Sequence, residues 1–442
     1  MQSSRVGTTR LLIIAAACVV PAALAPAARA QSIDTYLPPD ITGLGAAPGV
    51  TVASRLRPGY DPQGVHYGDW LITPTLTESF GYNSNVTGYS TGTGSAFEET
   101  RATANVTGRI GSDQPALATT ADVVEYLGQA RQSYTTATAT LSDTHAFAGN
   151  AVTLAVSHLY LVQIASDYGA LQTDAPVPYQ VDDLRSFATL HFGRLTVTPQ
   201  LDVQHTYYDN ATILGRRVDL SGQERLVITG GAELAYSLTD QTSLVLVGEA
   251  FDNDYLNPDP TQPDATSQTG RILAGLDTVA RGIWRLRLLA GLERRSFDVP
   301  QYRARLEPIV EGSLVWTPNG QTTASLTLTR SIEDPADNSV QGYTVTRAAL
   351  VLDRELKRNL LLQGRLSYQS ADPLQASPAQ TNLLFGATLT RLINPNLRLT
   401  LSYDLDSQSG PSILLAPAPG LSTTRGGHFT RQVVSVGLRA AL

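Results

Sequence analysis

The sequence predicts an all-β protein, an antiparallel transmembrane β-barrel of about 18 strands, with 16 as the second choice. Three observations lead there. From about Trp70 to the last residue the chain alternates apolar and polar side chains with period two, the repeat of a strand whose two faces meet different surroundings. Turn-forming separators fall into two alternating classes, very short ones and mostly longer polar ones. Hydrophobic residues make up 42% and charged residues 16% of the 442, with mean hydropathy −0.07, too apolar in pattern for disorder and too mixed for helical membrane spans. No central linker divides the chain, which favours one large unit.

The first thirty residues stand apart. "MQSSRVGTTR" carries Arg5 and Arg10, "LLIIAAACVV" is a short apolar core, and "PAALAPAARA" ends on Ala28, Arg29 and Ala30 as a small-x-small cleavage site. This is a secretory signal peptide, residues 1–30, because its apolar run falls well short of the roughly 20 residues a bilayer-crossing helix needs. Cleavage is expected after Ala30. Cys18 lies inside the apolar core without the upstream leucine of a lipidation site, so it leaves with the leader. The mature chain then has no cysteine and no thiol or disulfide chemistry. It also loses three arginines, which leaves 29 basic residues against 39 acidic ones, a net charge of −10 that argues against nucleic acid as a partner.

Residues 31–66 are rich in proline and glycine and lack sustained periodicity. They read as an extended N-terminal segment, either outside the main unit or tucked into its interior. Residues 67–442 form the barrel. In "ERLVITGGAELAYSL", Leu226, Ile228, Gly230, Ala232, Leu234, Tyr236 and Leu238 share one parity, against Arg225, Thr229, Glu233 and Ser237. "IWRLRLLAGLERR" sets Trp284, Leu286, Leu288, Ala290 and Leu292 against Arg285, Arg287, Gly291 and Glu293. "NLRLTLSYDLD" sets Leu397, Leu399, Leu401, Tyr403 and Leu405 against Arg398, Thr400, Ser402 and Asp404.

The short separators are "SDQP" at Ser112, "GN" at Gly149, "GR" at Gly193, "TDQ" at Thr239, "RG" at Arg281, "TPNG" at Thr317, "LKRN" at Leu356 and "NPN" at Asn394. These are tight-turn compositions. Between them lie stretches such as "NSNVTGYSTGTGSA" after Tyr82, "SDYGALQTDAPVPYQVDD" after Ala165, "DNDYLNPDPTQPDAT" after Phe251 and "SQSGPSILLAPAPGLSTTRGG" after Asp406. Short turns alternating with longer loops describe an outer-membrane barrel with periplasmic turns and extracellular loops. Eight short turns join nine hairpins, hence 18 strands. A ring of that size leaves an aqueous lumen, and hydroxylated inward positions such as Thr323, Ser325, Thr327 and Thr329 fit a wet interior.

The stretch from "SFGYNSNV" to the C-terminus resembles the putative β-barrel porin type 2 family of proteobacterial outer-membrane proteins. The residues that carry the resemblance are "GYNSNV" (81–86), "LVWTPNGQTTASLTLTRSIEDP" (314–335), "LDRELKRNLLLQGRLSYQ" (352–369) and "INPNLRLTLSYDL" (393–405). The family pattern shows an acidic pair where this chain has Asn83, Ser84 and Asn85. The resemblance implies an integral outer-membrane barrel without a settled transport substrate, sometimes found near exopolysaccharide genes.

No constellation points to catalysis or a cofactor. His66, His145, His158, His191, His205 and His428 are scattered, no H-E-x-x-H is present, and no G-x-S-x-G elbow offers a nucleophile. The aspartates of "DNDYLNPDPTQPD" and "DDLRS" lack the spacing of a calcium loop and read as solvated surface. The candidate functional residues are charges on the inward parity of three consecutive runs: Asp277, Arg285, Arg287, Glu293, Glu307 and Glu311. They would either form a mixed-charge constriction or pair across hairpins within the wall, and pairing is the favoured reading.

The last residues, "RQVVSVGLRAAL", read as a strand whose partner is the first strand near Trp70 to Phe80. The stretch also resembles a C-terminal signal for the barrel-assembly machinery, with Ser435, Gly437, Ala440 and Leu442 at its spaced positions and Leu442 in place of the usual aromatic. The expected function is that of a porin-like passive channel for small hydrophilic solutes in the cell outer membrane. An accessory barrel for exopolysaccharide export, with a plugged lumen, is the alternative. The expected partners are outer-membrane lipid and lipopolysaccharide, the assembly machinery and a possible homo-oligomer.

Overall fold

The computed structural model describes residues 50–167, 170–258, 264–334, 341–374, 378–410, 413–418, 420–425 and 427–442. Residues 1–49, which include the expected leader 1–30, lie outside them. The chain folds as a closed antiparallel barrel of 18 strands. The first half comprises β1 Trp70–Asn83, β2 Ser95–Thr107, β3 Ala116–Tyr126, β4 Tyr134–Phe147, β5 Asn150–Gln163, β6 Val177–Phe192, β7 Leu195–Tyr208, β8 Arg225–Thr239 and β9 Thr242–Tyr255. The second half comprises β10 Ser267–Ala280, β11 Trp284–Phe297, β12 Arg305–Asn319, β13 Thr322–Glu333, β14 Tyr343–Lys357, β15 Leu360–Pro373, β16 Gln380–Leu392, β17 Leu397–Ser409 and β18 Phe429–Ala441. A three-residue strand, Val65–Tyr67, folds back on the start of β1.

Each expected short separator lies in or beside a connection at one rim. The tightest pattern is the β4–β5 turn, where Ala148 (φ 46°) and Gly149 (φ 81°) both adopt the left-handed conformation that suits the twist of a two-residue hairpin. The other nine connections, most of them longer, gather at the opposite rim. Closure is made by β18, which pairs with β17 on one side and with β1 on the other, from Thr75 opposite Ala441 to Asn83 opposite Val433. Leu442 extends the seam: its N–H donates to the Pro74 carbonyl at 3.3 Å and its own carbonyl accepts from the Gly64 N–H at 3.0 Å.

The wall has the polarity expected from the strand parity. Ile228, Leu234, Tyr236, Leu399, Leu401, Val434, Val436 and Leu438 are exposed on the outside, while Glu233, Ser402, Asp404, Arg431 and Ser435 are buried on the inside. Such an apolar belt requires lipid around it. All three tryptophans, Trp70, Trp284 and Trp316, occupy outward positions at the turn rim. Trp284 and Trp316 stack at 5.4 Å between centroids, in the girdle position where an indole meets both hydrocarbon and headgroup.

Two features correct the sequence expectation. The stretch expected as loop through Asp183 is strand from Val177 onward, because the inward parity there is the apolar one. Val181 and Tyr179 pack with Leu159 and Leu161 of β5 on the inside, while Asp182 and His158 face out. The lumen is likewise not uniformly polar: Val245, Val247, Leu273, Leu289 and Ile309 form a second inward cluster across β9 to β12. Leu289 has 0% exposure, so these side chains lie beneath other groups and not against open water.

Both ends of the lumen carry fillings. At the loop rim, Leu171 and Val177 beside β6, Ala211, Ile213, Val218 and Leu220 from the β7–β8 loop, and Leu421 from the β17–β18 loop share one buried cluster with Tyr208. The β7–β8 and β17–β18 hairpins stand on nearly opposite sides of the ring, so this contact spans the mouth. The Asp174 N–H donates to the Thr212 carbonyl at 2.8 Å, and the Asp174 carboxylate accepts from the N–H groups of Leu214 and Gly215. At the turn rim the N-terminal segment enters the barrel. The Val52 N–H donates to the buried Thr323 hydroxyl at 3.0 Å, and both Arg55 and Arg57 pair with Glu355 of β14.

The inverted polarity has a measurable consequence. Leu401→Arg, on the lipid face of β17, is expected to cost about 2 to 4 kcal/mol in urea unfolding from vesicles, whereas Thr327→Arg on the lumen face should stay within about 0.5 kcal/mol. Equal losses would contradict the assignment of faces.

Candidate functional site

Strand alternation alone places the six candidate charges on the lumen face, and the structure sorts them into separate groups. Arg287 of β11 reaches past its neighbour to Glu233 of β8 at 2.6 Å and also lies 3.6 Å from Asp277 of β10. Glu311 of β12 lies 3.7 Å from Arg271, which is bound directly by Glu249 of β9. Glu293, with 2% exposure, accepts the Ile332 N–H at 3.3 Å. Glu307 stands near the loop rim and pairs at 3.5 Å with Arg330 of β13. Among the described residues Arg285 makes no ion pair. One undivided six-residue constriction is therefore absent, and two linked networks, Asp277–Arg287–Glu233 and Glu249–Arg271–Glu311, stand side by side.

The two networks and the buried apolar cluster of Val247, Leu273 and Leu289 share the inner face of the same part of the wall, β8 to β12. Removing one partner from so buried a pair would leave an uncompensated charge, which costs far more than the intact pair contributes.

Further inward ion pairs are not among the candidates, although strand parity already places Asp404 and Arg431 inward. Arg101 bridges Glu99 and Asp122; Arg185 pairs with Asp202 and Asp183; Arg365 pairs with Asp404, and Arg431 with Asp406. Each sits on the inward parity of its own strand, as Glu233 does in "ERLVITGGAELAYSL". That parity was the available signal. The Arg55 and Arg57 pairing with Glu355 had none, since the N-terminal segment carries no periodicity. Asn85 organises the first long loop: its side chain donates to the Tyr89 carbonyl at 2.8 Å and accepts from the Gly88 N–H at 2.9 Å.

His145, His158 and His205 take the outward parity of their strands, whereas His191 lies on the inward parity of β6 near the turn rim. His158 pairs with Asp182 at 2.7 Å, His145 with Asp113 at 2.5 Å and His205 with Glu224 at 3.0 Å. In the terminal strand, Ser435 faces inward and shares a hydrogen bond of 2.7 Å with Ser402, Gly437 faces Ser79 across the seam, and Ala440 and Leu442 take the outward parity.

A family profile described as putative beta-barrel porin 2 matches residues 57–441. Among solved structures the chain is similar to a BenF-like porin from Pseudomonas fluorescens Pf-5, with 11% identity over 85% of this chain and 99% of that one and a TM-score of 0.46. It is also similar to OccK1 (OpdK) from Pseudomonas aeruginosa, with 11% identity over 85% and 99% and a TM-score of 0.45. The FrpB iron transporter from Neisseria meningitidis (F3-3 variant) matches with 9% identity over 86% and 82% and a TM-score of 0.41. At these identities the likeness is one of fold alone. A search of curated proteins returns no match.

Asp167, in the loop between β5 and β6 at the loop rim, titrates outside the membrane-spanning strands. Burial pushes the Asp167 carboxyl up from 3.8 to about 7, with the Ile164 N–H and Arg431 pulling it down and Asp406 adding to the rise. The folded loop thus holds a proton that the unfolded chain releases between these two values. Its stability is fully present below about pH 4 and declines as pH rises toward about 7. Limited proteolysis of residues 164–176, corrected for protease activity, is expected to be faster at about pH 8 than at about pH 5. Asp167→Asn should flatten that dependence, and an unchanged pH dependence in the variant would refute the assignment.

Proposed function

The chain belongs to the putative beta-barrel porin 2 family, and on that premise we propose that it is a passive channel of the outer membrane for small hydrophilic solutes. The observation that carries this reading is the closed ring of 18 strands with its apolar belt outside and its ion-paired, hydroxyl-lined wall inside. A ring of that size is wider than its own side chains can fill, so a water path is the default for such a wall. At the turn rim a cavity of about 460 Å³ is lined by Arg194, Asp240, Thr242 and Asp277, across the ring from the strands that the N-terminal segment contacts. This supports an entrance on that side. No residue is assigned a catalytic role.

The remaining features follow from the same reading. The leader directs export and is cleaved near Ala30, the turn rim faces the periplasm, and the terminal strand is presented to the barrel-assembly machinery. The exposed belt is bathed by lipid and lipopolysaccharide, and part of it is available to further copies of the chain. A second reading, an accessory barrel for exopolysaccharide export with a plugged lumen, is favoured by the apolar cap across the loop rim and by Val52, Arg55 and Arg57 within the turn rim.

Planar-bilayer conductance separates the two. The mature protein is expected to show small, resolvable conductance steps that enlarge when residues 50–62 are deleted. A wild-type protein that inserts, shows heat-modifiable migration and carries no current would contradict the channel and favour the plugged scaffold.

A further inference from the structure

At the turn rim the register places two arginines face to face. Arg398 of β17 lies directly opposite Arg439 of β18, and both belong to the inward parity of their strands. Like charges directly opposite each other destabilise a strand pair, so the arrangement calls for a compensating anion. A third arginine adds to the problem. The Arg57 guanidinium, carried in by the N-terminal segment, lies near enough to repel Arg398, which in turn repels Arg439.

The chain compensates two of the three. Arg57 pairs with Glu355 at 3.2 Å and donates to the Val52 carbonyl at 2.5 Å. Arg398 reaches Asp61 at 3.2 Å and the Tyr60 carbonyl at 3.4 Å. Among the described residues Arg439 makes neither a hydrogen bond nor an ion pair. Thr77 stands opposite it on β1, and Thr400 stands opposite Gly437, one inward position along. Among the described residues neither threonine hydroxyl has a hydrogen-bond partner. The inward side chains beside Arg439 on β17 and β1 thus present a second guanidinium group and two hydroxyls, and Asp61 is already held by Arg398.

We propose that Arg439 and Arg398, flanked by Thr77 and Thr400, form an oxyanion-binding site just inside the turn rim, suited to the phosphate or carboxylate group of a solute. Guanidinium groups match both kinds of oxyanion through paired N–H donors. Asp61 acts as a built-in competitor that shares Arg398 with the incoming anion. Binding needs entry from one rim only, so the site does not depend on conduction through the whole barrel.

The test uses the full-length mature protein in detergent with inorganic phosphate as the probe, followed by the phosphorus NMR linewidth. The wild type is expected to broaden the phosphate resonance in a saturable way. Arg439→Gln should weaken binding by about tenfold or more, the loss expected for a charge-assisted hydrogen bond, whereas Arg439→Lys, which keeps the charge and loses the paired donors, should weaken it by less than Arg439→Gln. Because Arg439 has no partner to lose among the described residues, heat-modifiable migration of both variants should match the wild type. Asp61→Asn should tighten binding by releasing Arg398. Succinate added to the phosphate complex distinguishes the sources: displacement at comparable concentration indicates carboxylate solutes, and its failure indicates phosphate solutes. Absence of saturable broadening in the wild type, or equal broadening in Arg439→Gln, would overturn the site.

Discussion

The seam between β18 and β1 is the constraint on which the rest depends. Inside hydrocarbon an unpaired backbone group costs several kcal/mol, and an open sheet would expose two rows of them. Pairing Thr75 to Asn83 with Val433 to Ala441 removes both rows at once. Once the ring is closed, strand alternation leaves no freedom in the choice of faces. Every odd position of β18 from Phe429 onward must look inward, and Val434, Val436 and Leu438 must look at lipid.

Closure also creates the interior that has to be managed. Eighteen strands enclose more space than side chains from the wall can fill, yet much of the inner surface is buried. Ion pairs do part of this, with Arg287 held by Glu233 and Arg271 by Glu249 on the same stretch of wall as the apolar cluster of Val247, Leu273 and Leu289. The connecting segments do the rest. An apolar cluster centred on Ile213 and Leu421 spans the loop rim, and Arg55 and Arg57 fasten the N-terminal segment to Glu355 near the turn rim. The wall charges therefore act mainly on one another and on these inserted segments. The Arg398 and Arg439 pair is one place where that internal compensation is incomplete among the described residues.

Much of this was legible in the sequence because it follows from local periodicity. Period two, the two classes of separator and the strand-like ending are short-range features, and they sufficed for the strand number, the faces and the closing pair. Local patterns failed where the surroundings of a residue depend on distant chain. Tyr179 and Val181 read as loop because apolar inward residues are expected only where something fills the lumen, and the filling comes from other loops. The partner of Arg287 is Glu233, three strands away, and no alternation rule selects it over nearer carboxylates. Residues 51–61 carry no periodicity, so their place inside the barrel is visible only through Thr323, Glu355 and Arg398.

The most direct test of the account is a cross-link across the seam. A side chain built at Gly437 would place its Cβ 3.6 Å from that of Ser79, within the span a disulfide bridges. Cys18 is the single cysteine in the sequence, so Ser79→Cys combined with Gly437→Cys in a Cys18→Ser background leaves one possible intramolecular bond. Oxidation of the membrane-inserted protein is expected to give an intramolecular cross-link, seen as faster migration of the boiled, unreduced chain that disappears on reduction. Failure to cross-link in correctly inserted protein, or cross-linking only between two chains, would contradict a barrel closed by β18 on β1.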